Sequence, residues 1–298
     1  MFYAGTFCKF TFMEASLRIG LLEYGFNNEM LALSDFYSNL LIYVSEAENL
    51  GFTRFWLAEH QSRWDVWATP QLPLMWLAQQ TKSIKLGSAG ILLDYHSPFE
   101  VACDFNLLEQ MFPGRIDLGV ARGKPFPSNA AVLRDSASDA DFPGRIEKLM
   151  AYFSENATAI LLPYRPRTPN LWTLGTSTIS MRLALKHGLN YAHSIFHPFP
   201  IALDPLREYA SSRLNAACEA VLAVAGICAP SNSAAQAIAE RRSNPYVVPT
   251  VVGDIATCEL KLRALLSETH AGEVVFLDVA TTFEEKLRSL RLLSRLID

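Results

Sequence analysis

The sequence lacks the features that mark several common classes of protein. No stretch of about 18 uninterrupted apolar residues occurs, so we expect no membrane-spanning helix. The net charge is −4, which leaves no basic field for nucleic acid or anionic lipid. The 5 cysteines are scattered and contain no C-x-x-C pair, a pattern typical of reduced thiols. These absences predict a cytoplasmic protein without nucleic-acid or membrane partners.

Several targeting and catalytic signatures are also missing. Near the N-terminus, Lys9 follows the apolar residues and Glu14 interrupts them, which is the wrong order for an export signal. The first predicted strand leads into LLEYGFNNE, which carries a single glycine and therefore no dinucleotide fingerprint. No G-x-S-x-G elbow is found. His193 and His197 have H-x-x-x-H spacing, but prolines follow at once and no third ligand is evident, so we expect no metal site.

Short apolar runs alternate with helical patterns along the whole chain. Most runs are continuously apolar, as strands covered on both faces are. Eight such strands close a parallel barrel, so the alternation predicts a single α/β domain with the (β/α)8 TIM-barrel fold. An open doubly wound sheet is the alternative. We expect the barrel to span 14–298 and residues 1–13 to be an N-terminal extension. The predicted strands are 17–23, 53–59, 84–93, 115–121, 171–175, 190–194, 220–229 and 273–280.

Helical patterns lie between these runs. The pattern over 34–50 begins at the capping residue Ser34 and is followed by Gly51, a usual helix stop. In 98–111, Pro98 suits the first helical turn. The predicted helices are 34–50, 98–111, 141–153, 231–242, 254–268 and 282–297.

The carboxyl ends of the strands gather on one face of a parallel barrel, and that face holds the active site. In RFWLAEHQ (54–61) an apolar run ends abruptly at Glu59 and His60. His60 is the natural acid/base candidate because imidazole titrates near neutral pH, although a hydrogen-bonded structural histidine is the alternative. Glu59 is expected to point to the other side of the extended chain. The same rule adds Glu23, Ser88–Gly90, Asp94, Arg122, Gly123, Thr176–Thr178, His193 and Asp278.

Two segments suggest a cofactor. GTST (175–178) joins a strand to a helix, and the free N–H groups at a helix start favour a phosphate. Arg122 leaves the fourth strand and can supply a fork of donors to the same phosphate. The alternatives are an ordinary helix cap and a surface ion pair. GSAGILL (87–93) has small residues where a flat ring can lie against the backbone, or it is simply a closely packed strand.

These motifs together resemble the luciferase-like flavin monooxygenases. The likeness runs from about Leu17 onward and includes the tail from VVGD (251–254). The resemblance implies a TIM-like barrel that uses reduced FMN and O2 on a small organic or natural-product substrate. It also implies a separate flavin reductase as partner and a homodimer. The segments that carry it are RFWLAEHQ, KLGSAGILLDYHSPFEVACDFNLLEQMFPGRIDLGVARG and LWTLGTSTISMRLALKHGLNYA.

The resemblance also implies roles for individual residues. The family's catalytic Glu-His pair falls on Glu59 and His60. A non-prolyl cis bond beneath the isoalloxazine ring falls on Ala89–Gly90. The residues expected to bind the cofactor are Ala89, Gly90, Arg122, Gly175, Thr176, Ser177 and Thr178.

The chain departs from the family pattern at several points. Gln61 stands where many members have a second histidine, and Ala121 stands where light-emitting members have a cysteine, so we expect no bioluminescence. The segment 243–250 is short and the loop after Arg122 is compact. Shortened loops at the C-terminal face predict an open site and weak flavin retention. Two alternatives remain, a hydride-transferring oxidoreductase that uses a deazaflavin coenzyme, and a non-catalytic flavin-binding or partner subunit.

Overall fold

The structure is a computed structural model. It describes residues 16–27, 29–123, 129, 132, 141–154, 157, 159–164, 166–212, 218–242 and 244–297. The predicted N-terminal extension lies outside these residues, and so does most of the loop after Gly123. Among the described helices, none is long and apolar enough to cross a bilayer.

The strands form one parallel sheet. Pairing runs in chain order from β1 to β7, and β9 then joins β7 to β1, which closes a ring of eight. The predicted barrel and its eight strands are therefore confirmed. The short β8 was not predicted, and it pairs with the end of β7 outside the ring. The strands are β1 Ile19–Glu23, β2 Arg54–Leu57, β3 Lys85–Leu92, β4 Ile116–Ala121, β5 Asn170–Gly175, β6 Asn190–Ser194, β7 Ala220–Cys228, β8 Val251–Gly253 and β9 Glu273–Asp278.

Helices surround the ring, and all six predicted helices are present. The start of the first was misplaced, because α1 begins before Ser34 and Ala32 occupies the cap position without a side-chain hydrogen bond. Gly51, with a φ of 85°, follows the end of α1 as predicted. The helices are α1 Leu33–Asn49, α2 Gln71–Gln80, α3 Pro98–Met111, α4 Phe142–Tyr152, α5 Thr178–His187, α6 Asp204–Ser211, α7 Asn232–Glu240, α8 Ile255–Thr269 and α9 Phe283–Leu293.

Each barrel strand sends alternate side chains to two separate apolar layers. Phe55 and Leu57 of β2 face outward and pack in the large core between the ring and the helices. Trp56 and Ala58 face inward and belong to a smaller cluster that fills the barrel, with Trp172 among its members. This alternation also decides which residues at the strand ends face the mouth of the barrel.

A buried ionic network closes the amino-terminal end of the barrel. Arg54 has no exposed surface, and its guanidinium contacts the carboxylates of Asp117 at 2.9 Å and Glu273 at 2.6 Å, as well as that of Glu219. The guanidinium also lies 4.6 Å from the ring centroid of Trp172. Because this end is filled, the carboxyl ends of the strands form the open mouth.

Candidate active site

A cleft of about 350 Å³ opens to solvent at the mouth of the barrel. It brings together His60, Arg122 and Thr176, which the sequence places far apart. All the residues predicted to bind the cofactor line it except Thr178, which begins α5 beside it. Further lining residues are Leu22, Tyr24, Trp56, Leu92, Ala121, Leu174, Ala192, Ser194, Phe196, His197, Phe199 and Ala223.

Six of the predicted strand-end residues do not line this cleft, namely Glu23, Ser88, Asp94, Thr178, His193 and Asp278. Glu23, His193 and Asp278 occupy outward positions on their strands, so their side chains enter the helix layer instead. Glu23 forms an ion pair of 2.7 Å with Lys286 of α9. The Nδ1 atom of His193 lies 2.9 Å from the hydroxyl of Tyr191. We therefore exclude Glu23, His193 and Asp278 from the candidate site.

His60 is a neutral imidazole that lines the cleft. Its ring packs against Tyr24 with the two centroids 4.2 Å apart. Its Nδ1 atom is buried and has no hydrogen-bond partner within the described part of the chain. Burial lowers the pKa of His60 to about 4, although the nearby Glu59 carboxylate acts in the opposite direction. At neutral pH His60 can therefore accept a proton as well as donate a hydrogen bond.

Glu59 points away from His60 and fixes the end of β3. Its carboxylate accepts hydrogen bonds from the Leu92 backbone N–H at 3.0 Å and from the Gln61 side-chain amide at 3.1 Å. Its two oxygens also lie 2.8 and 2.9 Å from the Nε2 atom of His96. Burial acts to lower the pKa of His96, but the hydrogen bond and the charge of Glu59 raise it overall. Glu59 thus connects β2 to the segment that follows β3.

Strand β3 forms one wall of the cleft with very little bulk. The peptide bond between Ala89 and Gly90 is cis, as the resemblance predicts. A Cβ atom on Gly90 would lie 2.8 Å from the carbonyl oxygen of Gly119, so no larger residue fits without a shift of the backbone. The Ser88 hydroxyl donates to the Gly119 carbonyl at 2.9 Å and holds β3 against β4. The backbone at 89–90 is therefore accessible from the cleft.

The opposite end of the cleft offers donors to an anion. Ser177 occupies the cap position of α5, but its side chain makes no capping hydrogen bond. The first N–H groups of an α-helix have no partner within the helix, so these groups remain available. Thr178 begins the helix, and Thr176 lies beside it. The Arg122 side chain is 66% exposed, and its Nε atom lies 3.8 Å from Asp94.

Sequence reasoning missed much of the aromatic wall. Tyr24, Phe196 and Phe199 line the cleft but were not predicted to do so. Their positions just beyond the ends of β1 and β6 were the available signal. Trp56 and Leu92 also line the cleft, whereas Phe105, Trp172 and Ile195 pack in the apolar layers.

Comparison with known proteins points to one family. A family model described as luciferase-like monooxygenase matches residues 18–271. The protein YwcH of Bacillus subtilis, described as uncharacterized, is 28% identical over 83% of this chain and 89% of its own length. The crystal structure of apo-MsnO8 superposes with a TM-score of 0.85 at 26% identity, over 94% of this chain and 97% of that one.

More distant structures share the fold alone. The oxygenating constituent of 3,6-diketocamphane monooxygenase from Pseudomonas putida, in complex with FMN, has a TM-score of 0.71 at 16% identity and covers 94% of this chain and 96% of its own. An F420-dependent secondary alcohol dehydrogenase has a TM-score of 0.66 at 15% identity, over 95% of this chain and 100% of that one. The fold therefore accommodates both flavin and deazaflavin chemistry.

Proposed function

The chain belongs to the luciferase-like monooxygenase family, and from that premise we propose that it is an FMN-dependent monooxygenase. In this proposal it takes reduced FMN from a separate reductase and uses O2 to oxidise a small organic substrate. The observation that carries the proposal is the single cleft that joins His60 to Arg122 and the start of α5. These groups lie on different strands, and only the closed barrel brings them to one mouth.

The residues at the start of α5 fit the phosphate of FMN. The helix has ten residues, and the side chain at its cap position leaves the first N–H groups free. Together with the helix dipole, these groups favour a dianion. The hydroxyls of Thr176 and Ser177 and the guanidinium of Arg122 add further donors. Arg122 is the one cationic side chain that lines the cleft within the described residues.

The other half of the cleft fits a flat ring system. Ala89 and Gly90 have little or no side chain, so space remains beside the backbone at this wall of the cleft. Trp56 lines the cleft from inside the barrel. Ligand pockets commonly measure about 300–1000 Å³. The cleft, at about 350 Å³, lies within that range. When bound, reduced FMN would supply the two electrons that activate O2.

The protein's own contribution is then proton handling and the exclusion of water. His60 is neutral over the physiological range because burial holds its pKa at about 4. It can accept a proton from the substrate, or return one, without first losing a proton to solvent. Tyr24 packs against the His60 ring at an angle of 43° and adds to the apolar surroundings that disfavour water there. Glu59 acts as a positioning residue, because its carboxylate is engaged by His96 and the Leu92 backbone.

Flavin affinity tests the phosphate site. Hydrogen bonds to charged groups contribute about 1.5–3 kcal/mol, and the exposure of Arg122 favours the lower value. Arg122→Gln should therefore weaken FMN binding about tenfold in a titration calorimeter, while riboflavin, which has no phosphate, should bind as before. The matched control is Arg182→Gln, an exposed arginine on α5. Equal affinity of the wild-type protein for FMN and riboflavin would contradict the phosphate assignment.

Incorporation of oxygen into a product distinguishes the proposed activity from the two alternative functions. The protein is mixed anaerobically with reduced FMN, then with O2 and a panel of organic compounds, and the products are analysed for incorporated 18O. Incorporation supports the proposal. Hydride transfer from a reduced deazaflavin, without oxygen uptake, would favour the deazaflavin alternative. Flavin binding without turnover would favour a flavin-binding or partner subunit.

A further inference from the structure

A serine and a histidine form a second polar group inside the cleft. Ser194 is the last residue of β6, and its inward position places it at the mouth. Its hydroxyl oxygen lies 2.8 Å from the Nε2 atom of His197. Both residues line the same cleft as His60. The described contacts of the barrel core do not use this pair.

The Ser194–His197 pair retains one hydrogen-bond donor after forming its mutual hydrogen bond. Burial lowers the pKa of His197, so its ring is neutral at physiological pH. A neutral imidazole carries one N–H, and serine carries one O–H, so the two residues share two hydrogens. Their mutual hydrogen bond uses one of them. When Nε2 carries the ring proton, the Ser194 hydroxyl hydrogen remains available to a molecule in the cleft.

Aromatic rings connect this pair to His60. The His197 ring stacks on Phe199, with centroids 5.4 Å apart and an angle of 8° between the planes. Phe196 packs edge-on against Tyr24 at 6.1 Å, and Tyr24 in turn packs against His60. Flat, polarisable walls of this kind favour a ring-bearing molecule.

Few charged side chains line the cleft that contains Ser194 and His197. Among the described lining residues, the ionic side chains are Arg122, at the proposed phosphate site, and Glu59. Glu59 is already engaged by His96. Burying an anionic group without a cationic partner is costly, so a carboxylate or sulfonate is disfavoured beside Ser194. An uncharged oxygen needs only a hydrogen-bond donor.

We propose that Ser194 and His197 determine substrate specificity by hydrogen bonding to a carbonyl or hydroxyl oxygen of an uncharged, ring-bearing substrate. The substrate is thereby held between the aromatic wall and His60. This inference rests on the proposed function, because it assigns the substrate class of the same cleft. It assigns substrate recognition to two residues that the sequence motifs do not connect with the substrate.

The test uses the full-length protein with reduced FMN, O2 and matched pairs of ring compounds. Each pair consists of a cyclic or aryl ketone and the carboxylate of the same skeleton. We expect substrate-dependent product from the ketone and little from the carboxylate. Ser194→Ala should lower kcat/KM for the best ketone about tenfold, which corresponds to about 1.4 kcal/mol, mainly through a higher KM. FMN affinity should stay at the wild-type value, which also shows that the variant is folded.

Two histidine variants distinguish a hydrogen bond from simple packing. His197→Gln retains a side-chain N–H near the position of Nε2 and should recover most of the activity, whereas His197→Leu should resemble Ser194→Ala. Ser38→Ala is the matched control, because the Ser38 hydroxyl donates to a backbone carbonyl within the exposed part of α1. This control should match the wild type.

The outcomes separate the two proposals. If the wild type gives no oxygen incorporation into any compound, the proposed function fails and the inference fails with it. If the wild type is active but Ser194→Ala and His197→Leu stay within twofold of it, the inference alone is overturned. A wild-type preference for the carboxylate members would also overturn it, while the monooxygenase assignment would stand.

Discussion

Replacing Arg54 tests whether the buried ionic network maintains the barrel. Arg54→Met keeps an unbranched side chain of similar length, so little apolar packing is lost. It removes the cation that faces Asp117 and Glu273, whose side chains are 0% and 2% exposed. Removing one partner of a buried ion pair typically costs about 3–5 kcal/mol, because the other charge stays buried without compensation. Domains are stable by only about 5–15 kcal/mol, so the loss should be large.

The assay is equilibrium unfolding in urea, followed by tryptophan fluorescence and by circular dichroism, with coincident curves as the check on two-state behaviour. Arg18→Met is the matched control. Arg18 pairs with the same Glu273 carboxylate at 3.1 Å, but its side chain is 54% exposed. An exposed ion pair contributes about 0–1 kcal/mol.

A second substitution tests the cause of the loss. Adding Glu273→Gln to Arg54→Met removes one of the uncompensated charges, so the double variant should recover at least about 1 kcal/mol. The reasoning is wrong if the free energy of unfolding of Arg54→Met lies within about 1 kcal/mol of the wild-type value. It is also wrong if Arg18→Met lowers that free energy as much as Arg54→Met does.

Two further predictions concern the cleft. The pKa of His96 is raised in the folded state, so its bond to Glu59 stabilises the protein fully below the ordinary histidine pKa and progressively less as the pH rises through the folded value. Glu59→Gln should therefore lower the free energy of unfolding, measured in urea, by about 1 kcal/mol at pH 6 and by less at pH 9. An equal loss at the two pH values would contradict this linkage between protonation and stability. His60→Ala should lower product formation at least tenfold while FMN affinity, measured by calorimetry, is unchanged. Unchanged turnover would remove His60 from the mechanism.

The alternation of side chains along the strands separates what could be predicted from what could not. The rule that strand ends gather at the mouth correctly selected His60 and Arg122 as neighbours of the cleft. The same rule also selected Glu23 and Asp278, which are wrong because they occupy outward positions and lie among helices. Leu22 and Leu277 face inward, so the next residues, Glu23 and Asp278, face outward, whereas Ser194 lies two positions after the inward-facing Ala192.

Helix prediction failed where local signals conflicted with the packed environment. Helix α2, which is absent from the predicted helices, includes Pro73. In the structure this proline lies in the first turn, where its missing N–H costs nothing. Ser34 has the right chemistry for a cap, but the chain enters the helix two residues earlier, at Ala32. The presence of Pro73 in α2 and the start of α1 therefore depend on the surrounding structure as well as on residue type.

The sequence by itself determined the number of barrel strands, their continuous apolar character and the residue types at the mouth, because these follow from local periodicity and the chemistry of each side chain. Only the tertiary structure decided which side chains meet. Closure of β9 onto β1 fixes the register of every strand, and register sets the distance between groups more than a hundred residues apart. The Arg54 network and the placement of Ser194 and His197 in the same cleft as His60 depend on that closure.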